Sequence, residues 1–229
     1  WSIHNLGRYN RWPRSYHADV VDYLVQDGAR IIGFDILFEG DGTEPEDILL
    51  AEAVGRAQNV YTAMFLLPAD SLNYQYAMEE DPYRRLSPQS VFPEASVTDR
   101  DDLFFREYAE GPFPEMVRNA KGLVAVSTSP DRYGINRWMP LAMNFGAGTY
   151  PSLNFRLASD ALGVSFKDVR IEPGRHIRLG DKRTVPIDRT GRMLLRYYGP
   201  GGAVGATFRY ISFYDILKRR LPPGQFRSE

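Results

Sequence analysis

The chain has 229 residues, 28 basic against 29 acidic side chains, and no cysteine. That length buries roughly 70 per cent of the unfolded surface without staples, so one globular domain is expected; the near-zero net charge leaves no field to hold nucleic acid or an anionic membrane surface. Disulfides, thiolate metal sites and thiol nucleophiles are excluded, and no apolar run approaches the roughly 20 residues of a membrane-spanning helix, so any membrane segment is expected outside the chain.

Arg8, Arg11 and Arg14 alternate with Trp12, Pro13 and Tyr16 ahead of the first helix, with Ser15 as its expected cap. From Tyr16 to Asp27 the residues Val20, Val21, Leu24 and Val25 recur at helical spacing, which gives a core face and leaves His17 as a helix-surface histidine. Gly28 ends the helix, and Ile31 to Phe38 then runs apolar almost without alternation, the pattern of a central strand covered on both faces. Asp35 interrupts it. A carboxylate in such a strand is costly unless something answers it. It is either a buried acid bonded to Arg14, Arg137 or backbone N–H groups, or, with those two arginines, the lining of a ligand crevice at the strand end.

Thr43 and Glu46 read as a capping box around Pro45 for a second helix that runs to about Ala57, and Asn59 to Leu67 reads as a second buried strand. Helix, strand, helix, strand implies parallel neighbours. Asp35, Glu39, Asp41 and Asp47 surround the acidic loop, but their spacing matches no calcium pattern; no metal is assigned and no cofactor is expected. From about 69 to 112 proline, acid and aromatic residues mix without a sustained period, as in an irregular insertion clamped by Tyr74, Tyr76, Tyr83 and Phe92, with a short helix from Asp101 to Tyr108.

Regular structure resumes with a helix from Pro114 to Ala120 and a strand from Leu123 to Ser127. The Asp131 and Gly134 turn predicts a hairpin of Val124 to Ser127 with Asn136 to Asn144. Pro151 opens a helix that stops at Gly163. Ile177 to Leu179, Thr184 to Ile187 and Met193 to Tyr198 form a meander; Gly199 to Gly202 lacks the lysine of a phosphate loop and reads as a connector. A last helix, Phe213 to Lys218, is capped by Ser212. The fold class is thus α/β: a central, mostly parallel sheet flanked by helices, an antiparallel hairpin and meander, and an aromatic-rich insertion.

Five stretches and a last piece occur together in order: Trp12-Pro13-Arg14-Ser15; Gly28 through Phe38; Asp131 to Leu141 with Arg137 and Pro140; Tyr150-Pro151-Ser152-Leu153; Ile187-Asp188-Arg189-Thr190-Gly191 leading to Arg196-Tyr197-Tyr198-Gly199; and Ile211 to Leu217. In these the chain resembles the type-two CHASE domain, the extracytoplasmic sensor of bacterial adenylate cyclases, histidine kinases and serine/threonine kinases. The resemblance spans nearly all of residues 1–229 as a single domain. It departs in the long 69–112 stretch and in the strand and helix that such domains carry after a Phe226-like position, which are expected and not found here. It implies a non-catalytic sensor outside the cytoplasm, anchored to the membrane by segments beyond this chain. It also implies a homodimeric receptor whose cytoplasmic output is a class III adenylate cyclase, and a small molecule or an envelope protein as stimulus.

Two rivals remain. A catalytic triad has no basis, because His4, His17 and His176 lie in unrelated contexts and no Gly-x-Ser-x-Gly elbow occurs; a carboxylate-dependent hydrolase around Asp35, Asp41 and Asp47 stays open. A dimerisation or partner-binding module without a small ligand is the other.

Overall fold

The computed structural model describes residues 2–40, 42–68, 82–128, 130–199, 201–202 and 207–227. A short helix, α1 (Ser2–Leu6), and one 3-10 turn lead into α2 (Arg14–Gln26). Pro13, not Ser15, holds the cap position of α2. The Ser15 N–H donates to the Glu46 carboxylate at 2.6 Å, so an acid from the next helix satisfies this helix start. Gly28, at φ +97°, ends the element as the sequence predicts; a Cβ there would also lie 2.7 Å from Arg227 Cγ, so the position takes glycine twice over.

Of the apolar run 31–38 only β1 (Ile32–Gly33) joins a ladder, extended by the Phe34 N–H to the Tyr61 carbonyl at 2.9 Å. Ile32, Phe34 and Phe38 are buried, whereas Asp35 is exposed. The expectation of a carboxylate buried in a long strand is corrected here: the chain leaves the sheet after Phe34, and the acid falls on the outward side of the turn-off.

α3 (Pro45–Ala57) is capped at Glu44 without a side-chain bond, so the Thr43 and Glu46 box gives way to the Glu46 bond with Ser15. The buried strand β2 (Val60–Leu67) follows as predicted. The expected clamps Tyr74 and Tyr76 lie outside the described residues. From 82 the chain forms α4 (Pro82–Leu86), three 3-10 turns, β3 (Phe105–Arg106) and β4 (Tyr108–Glu110). The helix expected over 101–108 is therefore replaced by a 3-10 turn and two strands. Tertiary packing decides this, since β4 takes the end of β2 and Leu103 is buried.

Next come α5 (Pro114–Asn119), β5 (Gly122–Ala125), β6 (Trp138–Pro140), β7 (Ala142–Phe145) and β8 (Gly148–Pro151). After α6 (Leu153–Ala161) follow β9 (Val169–Glu172), β10 (His176–Leu179), β11 (Arg183–Pro186), β12 (Arg192–Leu194), β13 (Gly201–Gly202), β14 (Phe208–Arg209) and α7 (Phe213–Leu217). The predicted hairpin does not form: β5 pairs with β2, β6 with β12, and β7 with β8 and β3. Asp131 still makes the turn, its carboxylate accepting from the Tyr133 and Ile135 N–H groups at 2.8 and 3.0 Å. Pro151 ends a strand, and Ser152 caps α6 by accepting the Phe155 N–H. In the meander, β9 rather than 193–198 is the third strand, giving the order β11-β10-β9.

The sheets are mixed. At the centre β2 runs parallel to β1 on one side and to β5 on the other, and antiparallel to β4. Carbonyls of Asn59, Tyr61 and Leu67 accept from the β1 and β4 side, those of Val60 and Met64 from the β5 side; β1 and β4 therefore occupy one edge of β2 in succession. Val60 joins the core that α2, α3 and α5 make with Ile32, Phe34 and Phe38, while Tyr61 reaches α6, so helices cover both faces. Buried Phe92 and Phe155 continue that second face into the core of the meander with Ile171 and Ile177.

Candidate functional site

At the carboxyl ends of β1 and β5 the chain leaves a crevice of about 100 Å³, lined by Asp35, the 125–128 segment, Met139 and the first residues of α6. Ends of parallel strands are where an open sheet leaves such space. Much of its polar wall is already engaged. The Ser127 hydroxyl accepts the Leu66 N–H at 2.6 Å and donates to the Leu66 carbonyl at 2.8 Å, and Ser152 is spent on its helix. Asp35 has no hydrogen bond or ion pair among the described residues, so its carboxylate faces the crevice mouth uncommitted.

The two arginines expected beside Asp35 have other partners. Arg14 bonds to the Asp47 carboxylate and the Glu39 carbonyl, with its guanidinium 5.2 Å from the Phe113 ring centre. Asp47 is 4% exposed. The buried acid answered by Arg14 is therefore Asp47, supplied by α3. Arg137 pairs with Asp131 inside its own turn; the Ile135 N–H above all, then the Tyr133 N–H and Arg137, outweigh burial and hold that carboxyl below the usual carboxylate range. Asp41 lies outside the described residues, and no group of three or more acids or histidines able to hold a metal ion occurs among those described.

His17 departs furthest from expectation. Instead of lying on the helix surface it is 3% exposed, with ring centres of Phe38, Phe213, Phe34 and Trp12 at 5.1, 5.0, 6.1 and 6.4 Å. Burial, and then the charge of Arg14, lower its pKa to about 4, and its Nδ1 has no partner. The cover comes from both chain ends: Trp12 stacks on Phe213 at 5.0 Å, and the Ser2 and Ser212 hydroxyls bond at 2.8 Å. Asp27 adds to this by accepting the Gly224 and Phe226 N–H groups.

A polar network on the other sheet face was not anticipated. The Tyr61 hydroxyl donates to Asp160 at 2.6 Å and accepts from Arg156 Nε at 2.9 Å, while Lys121 also bonds Asp160. Burial above all, with Asp160 next to it, pushes the Tyr61 phenol up. Burial would raise Asp160, but Lys121, Tyr61 and Arg156 outweigh it and hold the carboxyl low. Arg156 and Asp160 stand four apart on α6, the one sequence signal that pointed there.

The sequence model of the CHASE2 domain family matches residues 2–229. The chain belongs to the CHASE2 domain family. CHASE2 domains are extracytoplasmic, non-catalytic sensory modules of signalling receptors. No curated protein and no solved structure matches the chain. No helix among the described residues of this CHASE2 domain is long and apolar enough to cross a membrane.

Proposed function

We propose that this CHASE2 domain senses a stimulus for a membrane-bound bacterial receptor and regulates a fused cytoplasmic output domain, which we assign as a class III adenylate cyclase. One observation carries the reading: a continuous contact route from the crevice to both chain ends. Asp35 lines the crevice, its neighbour Phe34 meets His17, and His17 meets Phe213 of α7 beside Trp12. A stimulus that prefers one arrangement of the crevice shifts the packing of the segments that lead toward the membrane. The test is cyclic AMP synthesis by the intact receptor in bacteria lacking their own cyclase. Phe213→Ala is expected to change output severalfold; output indifferent both to this change and to deletion of the whole domain would overturn the proposal.

A second reading, an envelope dimerisation or partner module without a small ligand, draws support from the exposed Tyr133, Tyr197, Tyr198, Phe208 and Tyr210. In the receptor we propose, this aromatic surface serves a homodimer. Sedimentation of the chain with and without Tyr197→Ser and Tyr210→Ser separates the two uses, because a monomeric double variant that still supports stimulus-dependent output rules out pairing as the sole function.

A further inference from the structure

Beyond the Asp35 crevice, a groove of about 450 Å³ runs between α6 with its following turn and the 84–94 segment. Its apolar wall is Phe92 and Phe166, stacked with ring centres 4.5 Å apart. At its base lies Arg156, whose side chain is 15% exposed and whose guanidinium carbon sits 3.8 Å from the Phe166 ring centre. Tyr61 accepts from its Nε at 2.9 Å, and Asp160 lies 3.6 Å from its Nη2. The guanidinium is therefore fixed before any ligand arrives and loses little freedom on binding.

Charge sets the class of ligand. Asp160 is shared between Arg156 and Lys121, so one carboxylate answers two cations and the base of the groove keeps a positive excess. Lys167 and Arg84, the latter donating to the Ala147 carbonyl at 3.2 Å, add cations at the exposed rim and Glu94 an anion. One pre-oriented, half-buried guanidinium beside stacked rings, with the other cations out in solvent at the rim and an acid among them, favours a monoanion with a flat apolar body over a multiply charged one. We infer that this groove binds small aromatic carboxylates, the carboxylate on Arg156 and the ring along Phe92 and Phe166.

Benzoate is the probe, titrated calorimetrically and by NMR into the 229-residue chain, with benzamide as the uncharged isostere and inorganic phosphate as the bare anion. Saturable benzoate binding is expected, weakened about tenfold by Arg156→Gln and by about as much in benzamide, as loss of a charge-assisted bond implies. Glu94→Gln changes an exposed side chain and is expected to tighten benzoate about twofold, which keeps the test informative if Arg156→Gln unfolds. Asp35→Asn should leave binding unchanged. Benzoate that fails to saturate, phosphate that competes equally, a folded Arg156→Gln variant with unchanged affinity, or, where Arg156→Gln unfolds, affinity indifferent to Glu94→Gln would each overturn the assignment. Binding is read on the chain alone, so its failure is separate from a failure of the receptor reading.

Discussion

Asp35 and Asp47 are both acids set among apolar neighbours, yet the two regions they occupy treat charge in opposite ways. Asp35 stands where the chain leaves the sheet, exposed and uncommitted, whereas Asp47 is 4% exposed and paired with Arg14, whose guanidinium lies over the Phe113 ring. The same contrast applies to α2. His17, on the side read as solvent, is sealed by residues from near both chain ends, while Val25, counted on the core face, is 38% exposed. A period finds a stripe; which stripe is covered depends on segments far along the chain.

Removing the acid from each region sharpens that comparison. Asp47→Ala strands the Arg14 guanidinium against aromatic rings, and a loss of about 3 kcal/mol is expected in urea unfolding; a loss under about 1 kcal/mol would place Asp47 with the solvated acids. The His17 enclosure predicts a pH effect of somewhat smaller size. Its folded pKa, about 4, lies below the unfolded value of about 6.5. The unfolded chain therefore takes up the proton first, and stability declines as pH falls from about 6.5 to about 4, then levels. Between pH 7 and pH 5 the decline is about 2 kcal/mol. His17→Phe should remove that part of the slope while leaving the steeper carboxylate losses below pH 4. Arg14 and Tyr9 are the charged and titratable groups beside the imidazole.

Gly28→Ala tests how tightly the last segment is held against α2, since it combines a φ of +97° with a Cβ 2.7 Å from Arg227; about 1 kcal/mol is expected by thermal or urea unfolding. The smallest effect belongs to the crevice. Asp35→Asn is expected to shift stability by less than about 0.5 kcal/mol, because the carboxylate has no partner to lose. A cost near that of Asp47→Ala would restore Asp35 to the interior.

Long elements with their own stop signals were legible. The helix ending at Gly28, the proline-started α3 and the strand 60–67 stand within a few residues of the positions read from period and caps. Short strands were not, because two to four residues carry no period, and their partners are chosen in three dimensions: β4 by the free half of one edge of β2, and β6 by β12. The acidic anomaly at 35 marked a residue that lines the crevice at the strand ends, though not as the buried acid it was read to be. Arg14, read as one answer to Asp35, takes the carboxylate that α3 supplies instead. Nothing in the local sequence marked His17, whose enclosure depends on a phenylalanine nearly two hundred positions away.

The shared edge of β2 has a consequence for the solution behaviour of the molecule. An eight-residue apolar strand with a bare flank is a template on which a second polypeptide can add itself, the first step toward fibrous deposits. Here β1 occupies the first part of that flank and β4 the last, with β5 along the opposite side. β4 thus acts as a gatekeeper for this apolar ribbon, and trimming the segment that carries it to shorten the protein would expose the ribbon.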